Sequence, residues 1–176
     1  MRQTSLMIRC VLFLALCGML STAANSAEPE KQAPAYSLKD SAGKTYTPQS
    51  YPDQHVLLVF YRGVQCVHCM EQLAGMAKQA NDFDRRGIRI IAISHELPSS
   101  GTVEQIRSKL GIEYPQCVDP QRRAFRAYGC LDSRDRDMHG LFLISPSGEM
   151  LYQSVSEHAM TDIDRILEIC DKAMGS

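Results

Sequence analysis

The 176-residue chain lacks a strong excess of charge of either sign: 19 basic and 20 acidic residues leave a formal net charge of −1. A nucleic-acid partner, which requires a basic face for phosphate contacts, is therefore not expected. After residue 27 no stretch approaches the ~20 apolar residues that a membrane-spanning helix needs. No internal repeat or low-complexity segment is present. Cys66 and Cys69 form a C-x-x-C, yet no second cysteine or histidine pair stands at the spacing of a four-ligand structural zinc site. That absence favours redox chemistry over zinc.

What is present at the start is an export signature. Arg2 and Arg9 precede an almost wholly apolar run from Cys10 to Leu20, and Ser21 to Ala27 is small and polar. The pattern predicts a secretory signal over residues 1–27, cleaved after Ala27 or Ala24. A lipoprotein reading would use Cys17, but Leu16 ahead of it is large where a small residue is needed. Losing residues 1–27 removes two arginines and no acid, so the 149 residues that remain carry a charge of about −3. One domain fits that length. The expected compartment is periplasmic or extracellular, with no stable membrane span once the signal is gone. Cys10 and Cys17 leave with it, and Cys66, Cys69, Cys117, Cys130 and Cys170 stay. An odd number in an oxidising compartment leaves at least one cysteine without a partner in the chain.

Residues 28–34 are polar with two prolines and read as a flexible leader. The domain is expected over 35–176. A hairpin is predicted from Tyr36–Leu38 and Lys44–Tyr46 about the turn Asp40–Gly43. His55 is followed by the apolar run Val56–Tyr61, a strand buried on both faces. Cys69, Leu73, Met76, Ala80 and Phe83 share one face of a helix closed by Gly87. The two cysteines thus meet a strand end and a helix start. Unpaired N–H groups and the positive end of the helix dipole favour a thiolate there, which makes Cys66 a nucleophile near neutral pH. Cys69 then lies close enough to resolve a mixed disulfide on Cys66.

The second strand is Ile88–Ile93, ending at Ser94, and strand–helix–strand order argues for a parallel pair. Thr102 and Gln105 have the form of a capping box for a helix ended by Gly111. Tyr114–Val118 reads as a short strand, and Asp119-Pro120 as the start of a helix running to Tyr128. Leu131–Asp137 alternates arginine and aspartate and reads as a solvated loop. Leu141–Ser145 and Met150–Ser154 form a hairpin about Pro146–Glu149. Thr161 is the predicted cap of a last helix whose inward face is Ile163, Ile166, Leu167 and Cys170. Together these elements give an α/β domain in three layers, a mixed sheet between helices.

These residues resemble the thioredoxin superfamily, and within it the peroxiredoxin-like branch of redoxins and thiol-specific antioxidant domains. The resemblance rests on Val59-Phe60-Tyr61-Arg62-Gly63 leading into Cys66-Val67-His68-Cys69, on Tyr114-Pro115 through Asp119-Pro120 to Ala127-Tyr128-Gly129, and on the hairpin Phe142–Gly148. It implies a thioredoxin-like fold over most of the domain. Peroxidatic members follow the Phe-Tyr with a proline, then a threonine, then the peroxide-reacting cysteine; here those places hold Arg62, Cys66 and Cys69. The arginine expected near the closing hairpin is replaced by His139. The proline that thioredoxin-type enzymes carry before that strand is absent from Met138-His139-Gly140.

The leading expectation is an exported thiol–disulfide oxidoreductase exchanging electrons through Cys66 and Cys69, with cysteine-containing proteins or a thiol reductant as partners. It requires no cofactor and no resident metal. One alternative is a thiol-dependent peroxidase with Cys69 peroxidatic and Cys66 resolving. Another is a copper-binding or copper-delivery module using Cys66, Cys69 and His139, with Met70 as a weak extra ligand, as in some thioredoxin-like proteins. His68 is expected to stabilise the Cys66 thiolate, as the resemblance to disulfide-donating enzymes implies. Arg62 is a further candidate for that effect, set against an ordinary solvated arginine. Cys117 and Cys130 are read either as a relay pair or as packing thiols, and Cys170 as core. His55, His95 and His158 receive no role.

Overall fold

The computed structural model describes residues 32–96 and 100–175; residues 1–31, and with them the signal and most of the leader, lie outside it. Its centre is a seven-stranded mixed sheet. The strands are β1 (Leu38–Asp40), β2 (Thr45–Tyr46), β3 (His55–Phe60), β4 (Ile88–Ser94), β5 (Gln116–Val118), β6 (His139–Ile144) and β7 (Met150–Ser156), in the order β2-β1-β5-β4-β3-β6-β7. β3 pairs parallel with β4 and antiparallel with β6. β4 in turn pairs parallel with β5. The helices are α1 (Val67–Lys78), α2 (Ala80–Arg85), α3 (Ser100–Leu110), α4 (Arg123–Ala127) and α5 (Ile163–Met174).

Strand periodicity explains why β3 is apolar from Val56 onward. Leu57, Val59 and Tyr61 enter a core beneath α1, α2 and α5, where Leu73, Met76, Phe83, Ile166 and Leu167 meet them. Val56, Leu58 and Phe60 enter the core on the opposite face with Ile91, Ile93, Phe125 and Phe142. There Phe60 packs edge-on against both Phe125 and Phe142, at ring separations of 5.0 and 5.5 Å. A strand in the middle of a three-layer domain has no solvent face to make polar. The α/β three-layer expectation holds.

Several boundaries differ from the sequence reading. The helix after the cysteines is two helices, because Gln79 leaves helical geometry (φ −105°, ψ 19°). Its side chain instead reaches Asp164 of α5 at 3.1 Å, and Phe83 stays in the core beyond the bend. α3 already runs from Ser100, so Thr102 is inside it rather than at its cap. Asp119 does cap a helix, but across an intervening turn: its two carboxylate oxygens accept from the N–H groups of Arg123 and Phe125, both at 3.0 Å. α4 therefore starts three residues past Pro120, through a left-handed Arg122 (φ 53°). Asp162, not Thr161, caps α5, accepting from Arg165 N–H at 3.0 Å.

Two further segments are more tightly held than expected. Within the stretch read as leader, Ala33 N–H donates to Gly148 O at 2.9 Å, and Tyr128 Oη donates to Pro34 O at 2.6 Å. The loop 131–137 is not simply solvated, since Leu131 and Asp137 bridge and Asp137 is buried. Asp132 accepts from the N–H groups of Arg134 and Arg136 and from the Arg136 side chain, which lowers its pKa to about 2. The loop closes on its own acid and carries the chain to His139.

Candidate functional site

The C-terminal end of β3 delivers the chain to a short loop, Arg62–Gln65, and then to α1. Gly63 in that loop has φ 112°, and a Cβ there would meet the Glu96 carboxylate at 2.9 Å. Only glycine fits. Cys66 is the N-cap of α1: its Sγ accepts from Cys69 N–H at 3.3 Å, and its carbonyl accepts from Met70 N–H at 3.1 Å. Cys66 and Cys69 are joined in a disulfide, with their Cα atoms 5.2 Å apart. The two sulfurs differ in access. Cys69 is completely buried against the α1/α5 core, whereas Cys66 is half-buried at the surface between the exposed Val67 and His68 on one side and the loop on the other.

β6 supplies the third member. Its first residue, His139, is 6 % exposed, and its Nε2 lies 3.1 Å from Cys69 Sγ and 3.7 Å from Cys66 Sγ. The pairing of Gly140 with Phe60 brings it there, since it sets the start of β6 beside the end of β3. Burial lowers the His139 pKa below its ordinary 6.5, and the positive charge of Arg62 lowers it further, while backbone groups of Glu157 and Ser156 push back. The ring is therefore neutral at neutral pH and can hold or accept a proton beside the buried sulfur.

Cys66 opens onto a cleft of about 220 Å³ lined by Arg62, His68, Asp137, His139, Glu157 and His158, among others. Asp137 on its wall forms an ion pair with Arg122 (2.7 Å) and lies against His95 Nδ1. That trio ties the end of β4, the start of α4 and the loop before His139 into one cluster. The sequence carried no sign of it, because the three residues come from segments with no common motif. A cluster of Cys66 Sγ, Cys69 Sγ and a His139 nitrogen lies within 4.8 Å, a set of two soft donors and an imidazole suited to Cu(I) or Zn(II).

The remaining candidates sort clearly. Arg62 and His68 line the cleft with Cys66. Met70 is partly buried and packs against the α1/α5 core. Cys117 and Cys130 are unpaired and fully buried in the opposite core, and burial pushes both thiols up to about 12. Cys170 is core and shifted likewise to about 12. Enclosed and unpaired, all three pack as small apolar side chains in this structure, which favours the packing reading of Cys117 and Cys130 over a relay.

Residues 29–153 match the family model described as AhpC/TSA. The chain belongs to the AhpC/TSA family. Among its curated relatives, ResA of Bacillus subtilis, a thiol-disulfide oxidoreductase, is 25% identical over 146 residues, covering 83% of this chain and 78% of that one. The 1-Cys peroxiredoxin A of Oryza sativa is 28% identical over 112 residues, 61% of this chain and 51% of that one. In fold, this AhpC/TSA chain matches the reduced 2-Cys peroxiredoxin of Plasmodium vivax with a TM-score of 0.71 at 17% identity, covering 83% and 96% of the two chains. The thioredoxin-like fold and the oxidoreductase class expected from the sequence both hold. No helix among the described residues is long and apolar enough to cross a membrane.

Proposed function

We propose that this AhpC/TSA chain is an exported thiol–disulfide oxidoreductase that passes two electrons through Cys66 and Cys69. The observation that carries the reading is the unequal access of two bonded sulfurs at one helix start. The half-buried sulfur of Cys66 is capped by an N–H and by the helix dipole, and the fully buried one of Cys69 lies against a neutral histidine. In the reducing direction, the Cys66 thiolate attacks one sulfur of a partner disulfide. A Cys66–partner disulfide forms, and the first partner thiolate leaves and takes up a proton. Cys69 then gives its proton to His139 Nε2 and attacks Cys66 Sγ, closing the Cys66–Cys69 disulfide and releasing the second partner thiolate. The partner gains two electrons, and the reverse sequence oxidises it. The substrates are cysteine-containing proteins, with a thiol reductant or oxidant restoring the starting state.

In a Cys69→Ser variant the first step is intact and the second is blocked. Reaction with a disulfide-bonded protein should then accumulate a covalent complex through Cys66, visible as a mass shift removed by dithiothreitol. Failure to trap any complex, with Cys66→Ser as the blank, contradicts the reading.

A peroxidase role is less well supported. The cysteine in the peroxidatic position, Cys69, is wholly buried and already bonded to Cys66, and His139 stands where a peroxide-polarising arginine is expected. One observation favours a second reading, copper binding or delivery: the reduced Cys66 and Cys69 with His139 would offer Cu(I) three donors from one 4.8 Å cluster. Stoichiometric Cu(I) uptake lost in Cys66→Ser and in His139→Ala supports it, and no uptake removes it.

A further inference from the structure

The cleft beside Cys66 holds an unspent charge. Of its acids, Asp132 is bound by Arg136 (2.6 Å), and Asp137 by Arg122 (2.7 Å) and His95. Glu157 lines the same cleft and its charge acts on the Arg136 guanidinium. Arg62 is different: it is exposed, lines the cleft with Cys66, and has no ion-pair or hydrogen-bond partner among the described residues. Its field nevertheless reaches the reacting groups, since it acts on His139. His68 and His158 stand on the same rim and can only add positive charge. At about 220 Å³ the cleft has room for a side chain or two flanking a sulfur, not for a folded surface.

We infer that Arg62 selects among disulfide partners, favouring those that carry a carboxylate close to the sulfur that Cys66 attacks. The inference rests on the oxidoreductase reading above and names the substrate class of the same site. A guanidinium is suited to this, because it offers a fixed fork of donors that matches a carboxylate. The carboxylate has two sources, a small thiol or an acidic residue beside a cysteine in a polypeptide, and the substrate that enters the cleft supplies it at the moment of attack. Arg62 also favours the Cys66 thiolate, so its removal slows every substrate. Selectivity is therefore the ratio between substrates of opposite charge, which that general effect leaves unchanged.

The test measures disulfide-exchange rates of reduced wild-type protein and of Arg62→Gln in low salt. One pair of probes is oxidised glutathione against cystamine. The other is two peptide disulfides identical except for Glu or Lys next to the cysteine. The wild type should favour the acidic member about two- to fivefold more than Arg62→Gln does, as an exposed charge pair allows. High salt should erase the difference. Which pair shows the larger effect identifies the small-thiol or the polypeptide source. A charge ratio equal in wild type and Arg62→Gln for both pairs overturns the inference while leaving the oxidoreductase reading standing. No reaction of wild-type protein with any of the four overturns both.

Discussion

At the level of single residues, the chemistry divides between two sulfurs that are three positions apart and differ in surroundings. Cys66 takes its charge from the helix start, and Cys69 takes its base from across the sheet. Because burial and Arg62 lower the His139 pKa below 6.5, the folded chain keeps the imidazole neutral where an ordinary histidine begins to charge. The sign follows: the unfolded chain binds that proton more readily, so this contribution to stability is lost as pH falls below about 6.5, and the base works down to a pH below that value. His139→Asn should slow resolution of the Cys66 mixed disulfide on the order of 10²-fold at pH 7. Raising the pH should restore much of the rate as Cys69 ionises unaided. A stopped-flow pH profile checks this, and equal slowing at pH 7 and pH 10 would show that the histidine only fills space. Cys66 and Cys69 were legible in the sequence because a C-x-x-C at a strand–helix junction has one local geometry. His139 was legible only through the resemblance, and His95, Arg122 and Asp137 were not legible at all, since what joins them is tertiary contact.

The elements position these groups by packing, and β6 carries the tightest fit. Gly140 stands next to His139 and opposite Phe60, and a Cβ there would lie 2.5 Å from Cys130 Sγ and 2.6 Å from Phe142. The buried Cys130 therefore has a use that is not redox: it fills the space beside a strand that must pass without a side chain. Gly140→Ala should cost about 1–3 kcal/mol in urea unfolding through overpacking. Cys130→Ala in the same chain should recover part of that loss, and no coupling between the two would refute the contact. Elements were readable where period and burial agree, as in β3, β4, β6 and the inward face of α5. The starts of α3, α4 and α5 were not, because several residues compete to cap them. Asp162 caps α5 ahead of the adjacent Thr161, and Asp119 caps α4 from across a turn that no spacing rule foretells. The bend at Gln79 was hidden for a related reason, since the apolar spacing that placed Phe83 inward is kept through it.

Across the whole molecule, the sheet order puts the end of β3 beside the start of β6, and the redox pair, the histidine and the cleft follow from that one adjacency. Among the described residues the other three thiols are enclosed in the two cores on either side of the sheet, so the Cys66–Cys69 pair is the one dithiol there that is open to exchange. The fold class was legible because alternating buried strands and amphipathic helices admit few arrangements. The reaction was legible as far as a dithiol. Its direction is set by the charges and hydrogen bonds around the sulfurs, which spacing does not encode. The central claim is that Cys66 and Cys69 form a reversible two-electron couple. Equilibrating the purified protein in glutathione or dithiothreitol buffers, followed by thiol trapping, tests it most directly. The account predicts a single titration that involves these two cysteines alone and disappears in Cys66→Ser or Cys69→Ser. A midpoint near −120 mV marks a disulfide donor and one near −270 mV a reductant, on the order of the values known for such pairs. A pair of thiols that stays reduced throughout the oxidising buffers, or a titration that needs Cys117, Cys130 or Cys170, would contradict it.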